Sequence, residues 1–102
     1  MTYRIYIKNY EGNRKPAYPL TTRYTEIADA RKRAIKELER PEGKWYYAKV
    51  FEIGTFFGED KFMGEVHIHA IDGPRWYPAS GQKYTNGKSK LNRDGTIRYR
   101  IE

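Results

Sequence analysis

Only one stretch of this 102-residue chain has helical periodicity, and that limits its fold more than any other feature. Ile27, Ala30, Ala34 and Leu38, with Ile35 alongside, recur at spacings of three and four and make one apolar stripe. Thr25 is placed to cap the first turn, because its hydroxyl can accept a bond from an orphan N–H. Glu26 and Asp29 suit the positive end of the helix dipole, and Lys36 and Arg40 the negative end. Asp29 and Arg33 are spaced as an i,i+4 ion pair, and the charged residues between the stripe positions read as a solvated face. Pro41 and Gly43 stop the helix, so the expected span is 26–39.

The rest of the chain alternates with a period of two or carries turn residues. Tyr3, Ile5 and Ile7 fall on one face of a strand, with Arg4, Tyr6 and Lys8 on the other. Residues 9–20 read as a loop, with a short extended piece near Pro19–Tyr24. Trp45 to Ile53 has apolar or aromatic residues on both faces: Trp45, Tyr47, Phe51 and Ile53 against Tyr46, Ala48 and Val50. This is the pattern of a central strand covered on both sides. Lys61 to Ile71 alternates as well, with Phe62, Gly64, Val66, Ile68 and Ala70 expected to face the core. Asp72-Gly73-Pro74 is a turn, and Arg75 to Lys90 reads as a long loop, of the kind that tends to carry function. Asp94-Gly95 is a tight-turn pair between Lys90–Asn92 and the alternating run from Thr96 to Ile101.

One helix can cover one face of a sheet. The expected fold is therefore α+β, a single domain over 1–102. It has a single helix on a mostly antiparallel sheet of three to five strands, a long basic C-terminal loop and a terminal hairpin. With 38% hydrophobic residues, the core must lean on the aromatic 16%. Cysteine is absent, which removes disulfides and thiolate chemistry. No apolar run approaches the ~20 residues of a membrane span, and the first residues do not read as a signal peptide. The expectation is a cytoplasmic protein with no membrane partner.

The formal charge is +7, and it is segregated. Among residues 1–24, Arg4, Lys8, Arg14, Lys15 and Arg23 stand against Glu11 alone. Among residues 74–102, Arg75, Lys83, Lys88, Lys90, Arg93, Arg98 and Arg100 stand against Asp94 and Glu102. The middle is slightly acidic. If the two ends share a surface, that surface attracts polyanions. Rings set between cations are what single-strand binding uses, with bases stacking on the rings and Lys or Arg tracking phosphates. The expected contact residues are Arg4, Tyr6, Lys8, Arg75, Trp76, Tyr77, Lys83, Tyr84, Lys88, Lys90, Arg93, Arg98 and Arg100. Tyr46 or Tyr47 joins them according to register. Lys83, Lys88, Lys90 and Arg93, set among glycines and small polar residues, suit a phosphate backbone.

The first expectation is thus a small basic protein that binds DNA or RNA with low specificity. The alternative is an interaction or inhibitor module docking an acidic protein through residues 74–95, with Trp76 and Tyr77 as anchors. Glu65, His67 and His69 share one face of a strand and are weak metal candidates, needing Glu52 or Asp72 to complete a site. Asn86-Gly87-Lys88-Ser89 lacks the first glycine and the strand-to-helix setting of a phosphate-binding loop. No nucleophile or acid–base constellation stands out, so neither an enzyme nor a cofactor is expected.

Overall fold

The computed structural model of the protein describes residues 2–9, 18–19, 22–41, 46–54, 58–71, 73–79 and 89–100. The elements run β1 (Tyr3–Asn9), β2 (Tyr18–Pro19), α1 (Ile27–Leu38), β3 (Tyr46–Glu52), β4 (Lys61–His69), β5 (Gly73–Pro78), β6 (Ser89–Leu91) and β7 (Ile97–Arg100). All strands join one antiparallel sheet in the order β2-β1-β3-β4-β5-β6-β7, with α1 packed on one face.

The α+β architecture is as expected, but the sheet has more strands than three to five. The two-residue β2 extends it at one edge. At the other, Gly73–Pro78 is a strand rather than part of a loop. Pro74 and Pro78 hide this strand from a sequence reading, since proline is disfavoured inside sheets. They flank Arg75 and Trp76, the two residues that β6 pairs, so the ladder on that side does without their missing N–H groups. Of the expected basic loop, residues 80–88 lie outside the described residues.

The helix starts one residue late and ends one early relative to expectation. Glu26, not Thr25, is the N-cap, with no side-chain capping bond. Ala30, Ala34, Ile35 and Leu38 meet Ile5, Ile7, Ala48, Val50 and Val66 in one core cluster that also takes in Trp76 and Leu91. The two alanines let the helix axis approach the sheet, and Ile5, Ile35, Val50 and Val66 are the largest fully buried side chains among the described residues. Arg33 pairs with Glu37 at 2.9 Å rather than with Asp29. Arg31 departs from the solvated-face expectation altogether. It is 7% exposed, and its guanidinium carbon lies 4.9 Å from the Trp76 ring centroid. Desolvation holds its pKa below the usual arginine value.

β4 contains an irregularity that decides what faces outward. Val50 pairs with Gly64, yet the next residue, Phe51, pairs with Phe62. The extra residue, Met63, packs against the core, and Phe62 is turned to the opposite face. Gly64 sits at φ +151, and a Cβ there would lie 2.6 Å from Trp76 Cζ2 and 2.6 Å from the Tyr77 carbonyl oxygen. The expected set of inward residues is therefore right for Gly64, Val66 and Ile68, and wrong for Phe62 and for Ala70, which lies exposed in a turn past the strand end.

The closing hairpin forms where Asp94-Gly95 predicts it. Gly95 N–H donates to Asn92 O, Asn92 N–H donates to Thr96 O, and Asp94 Oδ1 accepts from Thr96 N–H at 2.9 Å. Those bonds to Thr96 hold the Asp94 carboxyl below its ordinary pKa. Gly95 adopts φ +86 against the helix, where a Cβ would collide with the Ala28 carbonyl. Arg93 reaches Glu39 Oε2 at 2.6 Å and ties the hairpin to the helix end.

Candidate nucleic-acid interface

No described element covers the face of the sheet opposite α1, so its side chains can be read as cross-strand rows. The first row runs Lys8, Tyr47, His67, Arg75, Lys90 through β1, β3, β4, β5 and β6. The second runs Tyr6, Lys49, Glu65, Tyr77. The third is Arg4, Phe51, Phe62. Five cations and five aromatic rings share this face with His67, His69 and the carboxylates of Glu65 and Asp60. At roughly 4.8 Å per strand, the first row spans about 19 Å.

The rings contact one another. Tyr47 stacks on His67 at 4.9 Å between centroids and 10° between planes. Tyr77 meets His67 edge-on at 4.6 Å, Tyr6 meets Phe51 edge-on at 5.3 Å, and Phe51 lies 5.5 Å from Phe62. Each such pair contributes on the order of 0.5–1.5 kcal/mol beyond burial, so the belt also stabilises the sheet. Burial pushes the Tyr47 phenol pKa up, reinforced by the Glu65 charge. Burial also raises that of Tyr77, with Arg75 acting in the opposite sense.

The polar groups are set between the rings. His67 Nε2–H donates to Glu65 Oε2 at 2.8 Å, and His69 Nε2 is hydrogen-bonded to the Tyr77 hydroxyl at 2.7 Å. Each ring nitrogen is turned to a different partner. Among the described residues, no group of three His, Cys, Asp or Glu side chains is arranged to hold a metal ion, so the Glu65, His67, His69 triplet is a face without a converging site. Asp72, one suggested fourth ligand, lies outside the described residues.

The cations differ in availability. Arg4 donates to the Tyr6 hydroxyl at 3.1 Å and lies 3.6 Å from Asp60 Oδ2. The Lys49 ammonium sits 5.5 Å from the Phe62 centroid. Among the described residues, Lys8, Lys49 and Lys90 have no carboxylate within ion-pair distance. Arg75 is in the same row as Lys90 but is 9% exposed, so it contributes charge more than contact. Tyr6, Lys8, Phe51 and Asp60 line a hollow of about 290 Å³ on this face.

Arg4, Tyr6, Lys8, Arg75, Tyr77 and Lys90 are thus brought together from the two ends of the chain. Trp76 is not with them: at 5% exposed it is core, on the helix side beneath Arg31, and cannot serve as an outward ring or anchor. Arg93 is engaged with Glu39 at the helix. Arg98 is exposed on β7, and Arg100 takes the register position opposite Ser89, in the row of Trp76. Lys83, Tyr84 and Lys88 lie outside the described residues. Sequence reasoning missed Lys49, Phe51 and Phe62. Phe51 shares Tyr47's parity, and Gly64 within a strand is the signal for the bulge that turns Phe62 outward.

The chain matches no protein-family model, no curated protein and no solved structure. No described helix is long and apolar enough to cross a membrane.

Proposed function

We propose that this is a binding protein rather than an enzyme, and that it holds nucleic acid on the open face of its sheet with low sequence specificity. The observation that carries the reading is the interleaving of Arg4, Lys8, Lys49 and Lys90 with Tyr6, Tyr47, Phe51, Phe62 and Tyr77 on one surface that no described element covers. Lysines act as point charges along phosphates, and rings accept any base, so neither demands a sequence. No described element on this face is built to enter a groove and read base edges, because α1 lies on the other side.

The test is an anisotropy titration with labelled oligonucleotides at two salt concentrations. The three lysines without a carboxylate partner among the described residues predict a slope of log affinity against log salt of about −2 on a single strand. An absence of binding at low salt contradicts the proposal.

A further inference from the structure

The hollow beside Lys8 suggests a more specific role, which rests on the reading above. We infer that the Tyr6–Lys8–Phe51–Asp60 hollow seats one unstacked base of a single-stranded nucleic acid, and that the face selects single strands over duplex. The volume of about 290 Å³ is at the low end for small-molecule sites, which suits one flat ring rather than a larger ligand. Two of its walls are aromatic, Tyr6 and Phe51, set edge-to-face at 5.3 Å. A base entering there meets ring surface, and Lys8 stands on the same strand two residues from Tyr6 to hold the adjoining phosphate.

Asp60 appears out of place in such a site, but its charge is already engaged. Oδ1 accepts from the Gly54 N–H at 2.9 Å, and Oδ2 faces Arg4 at 3.6 Å. The carboxylate therefore helps fix the rim and opposes a phosphate less than a free acid does. Arg4 in turn bonds the Tyr6 hydroxyl, so one short chain of contacts, Asp60 to Arg4 to Tyr6, orients the ring wall.

A duplex cannot use this arrangement. Its bases are paired and stacked inside, and an α-helix or β-ribbon must protrude to reach them. Here the sheet presents a face, and its rings and cations are intermixed rather than raised on an edge. Single strands offer both partners at once, free base planes and flexible phosphates.

The experiment compares a 12-mer single strand with the duplex of the same sequence at equal low salt. Anisotropy measures affinity, and one 2-aminopurine per strand reports stacking by fluorescence quenching. The native protein should bind the single strand at least tenfold more tightly and quench the probe. Phe51→Leu and Tyr6→Leu keep an apolar side chain on the sheet, and their folding is checked by thermal melting. Each should weaken single-strand binding about fivefold or more and diminish the quench, with a smaller loss on duplex than on the single strand. Equal or tighter duplex binding overturns the inference while leaving nucleic-acid binding itself standing. So do folded ring variants that bind and quench like the native chain. Failure of both nucleic acids to bind overturns the underlying reading as well.

Discussion

Gly64→Ala tests the structural device that builds the open face. Gly64 lies at the bulge that directs Met63 inward and Phe62 outward, and it has φ +151. Holding an alanine in that region costs roughly 1–3 kcal/mol. Its Cβ would also stand 2.6 Å from Trp76 Cζ2 and 2.6 Å from the Tyr77 carbonyl oxygen, one of them backbone. Relieving such overpacking costs about 1–3 kcal/mol more. Together the loss is on the order of 2–6 kcal/mol, or a fall in Tm of roughly 10–30 °C for a domain this size. Gly73→Ala supplies the control, since Gly73 has φ +75 with nothing within 4 Å of an added Cβ. It should lose only the backbone component. Circular-dichroism melts and urea titrations of the two variants isolate the collision by difference. If Gly64→Ala is no less stable than Gly73→Ala, the close approach of β5 to the bulge is wrong, and with it the outward turn of Phe62.

Other expectations follow from the same geometry. Arg31→Met removes a desolvated cation while keeping an unbranched chain over Trp76, and urea unfolding should place it within about 1 kcal/mol of native; a loss beyond ~2 kcal/mol would show that the guanidinium is a net stabiliser. Tyr47 and Tyr77 have pKa values raised above 10.0, so their contribution to stability is intact below the unfolded value and is lost as pH rises through the folded one. Tyr47→Phe and Tyr77→Phe should each remove amplitude from the late part of the alkaline tyrosine-absorbance titration, and Tyr47→Phe should move alkaline unfolding to higher pH; variants that leave the late part of the titration unchanged go against this. Lys8→Ala with Lys90→Ala should flatten the salt slope for a single strand by about 1.4 without changing Tm, whereas an unchanged slope removes these two lysines from the contact surface.

Much of the architecture was legible because it rests on local signals. The 3–4 spacing from Ile27 to Leu38, the alternation from Tyr3 to Lys8 and the Asp94-Gly95 turn all survive into the structure. What was hidden depends on pairing. Pro74 and Pro78 argue against a strand until β4 and β6 are seen to pair the residues they flank. Phe62 has core parity until the bulge at Gly64 shifts it by one position. Trp76 looked like an anchor because tryptophan among glycines and lysines reads as surface, yet Arg31 covers it from the helix. The convergence of cations was partly foreseeable. Lys8 and Lys90 do share a row, but β3, β4 and β5 stand between their strands, and Lys49 comes from the acidic middle of the chain.

The most direct test of the central claim is to map where a single-stranded oligonucleotide touches the protein by NMR. Aromatic and amide shifts are followed during titration at low salt. Changes concentrated at Tyr6, Lys8, Tyr47, Phe51, Phe62 and Tyr77, with α1 residues such as Lys32 and Lys36 undisturbed, are the predicted result. Shifts confined to the helix, or none at saturating ligand, would contradict the account.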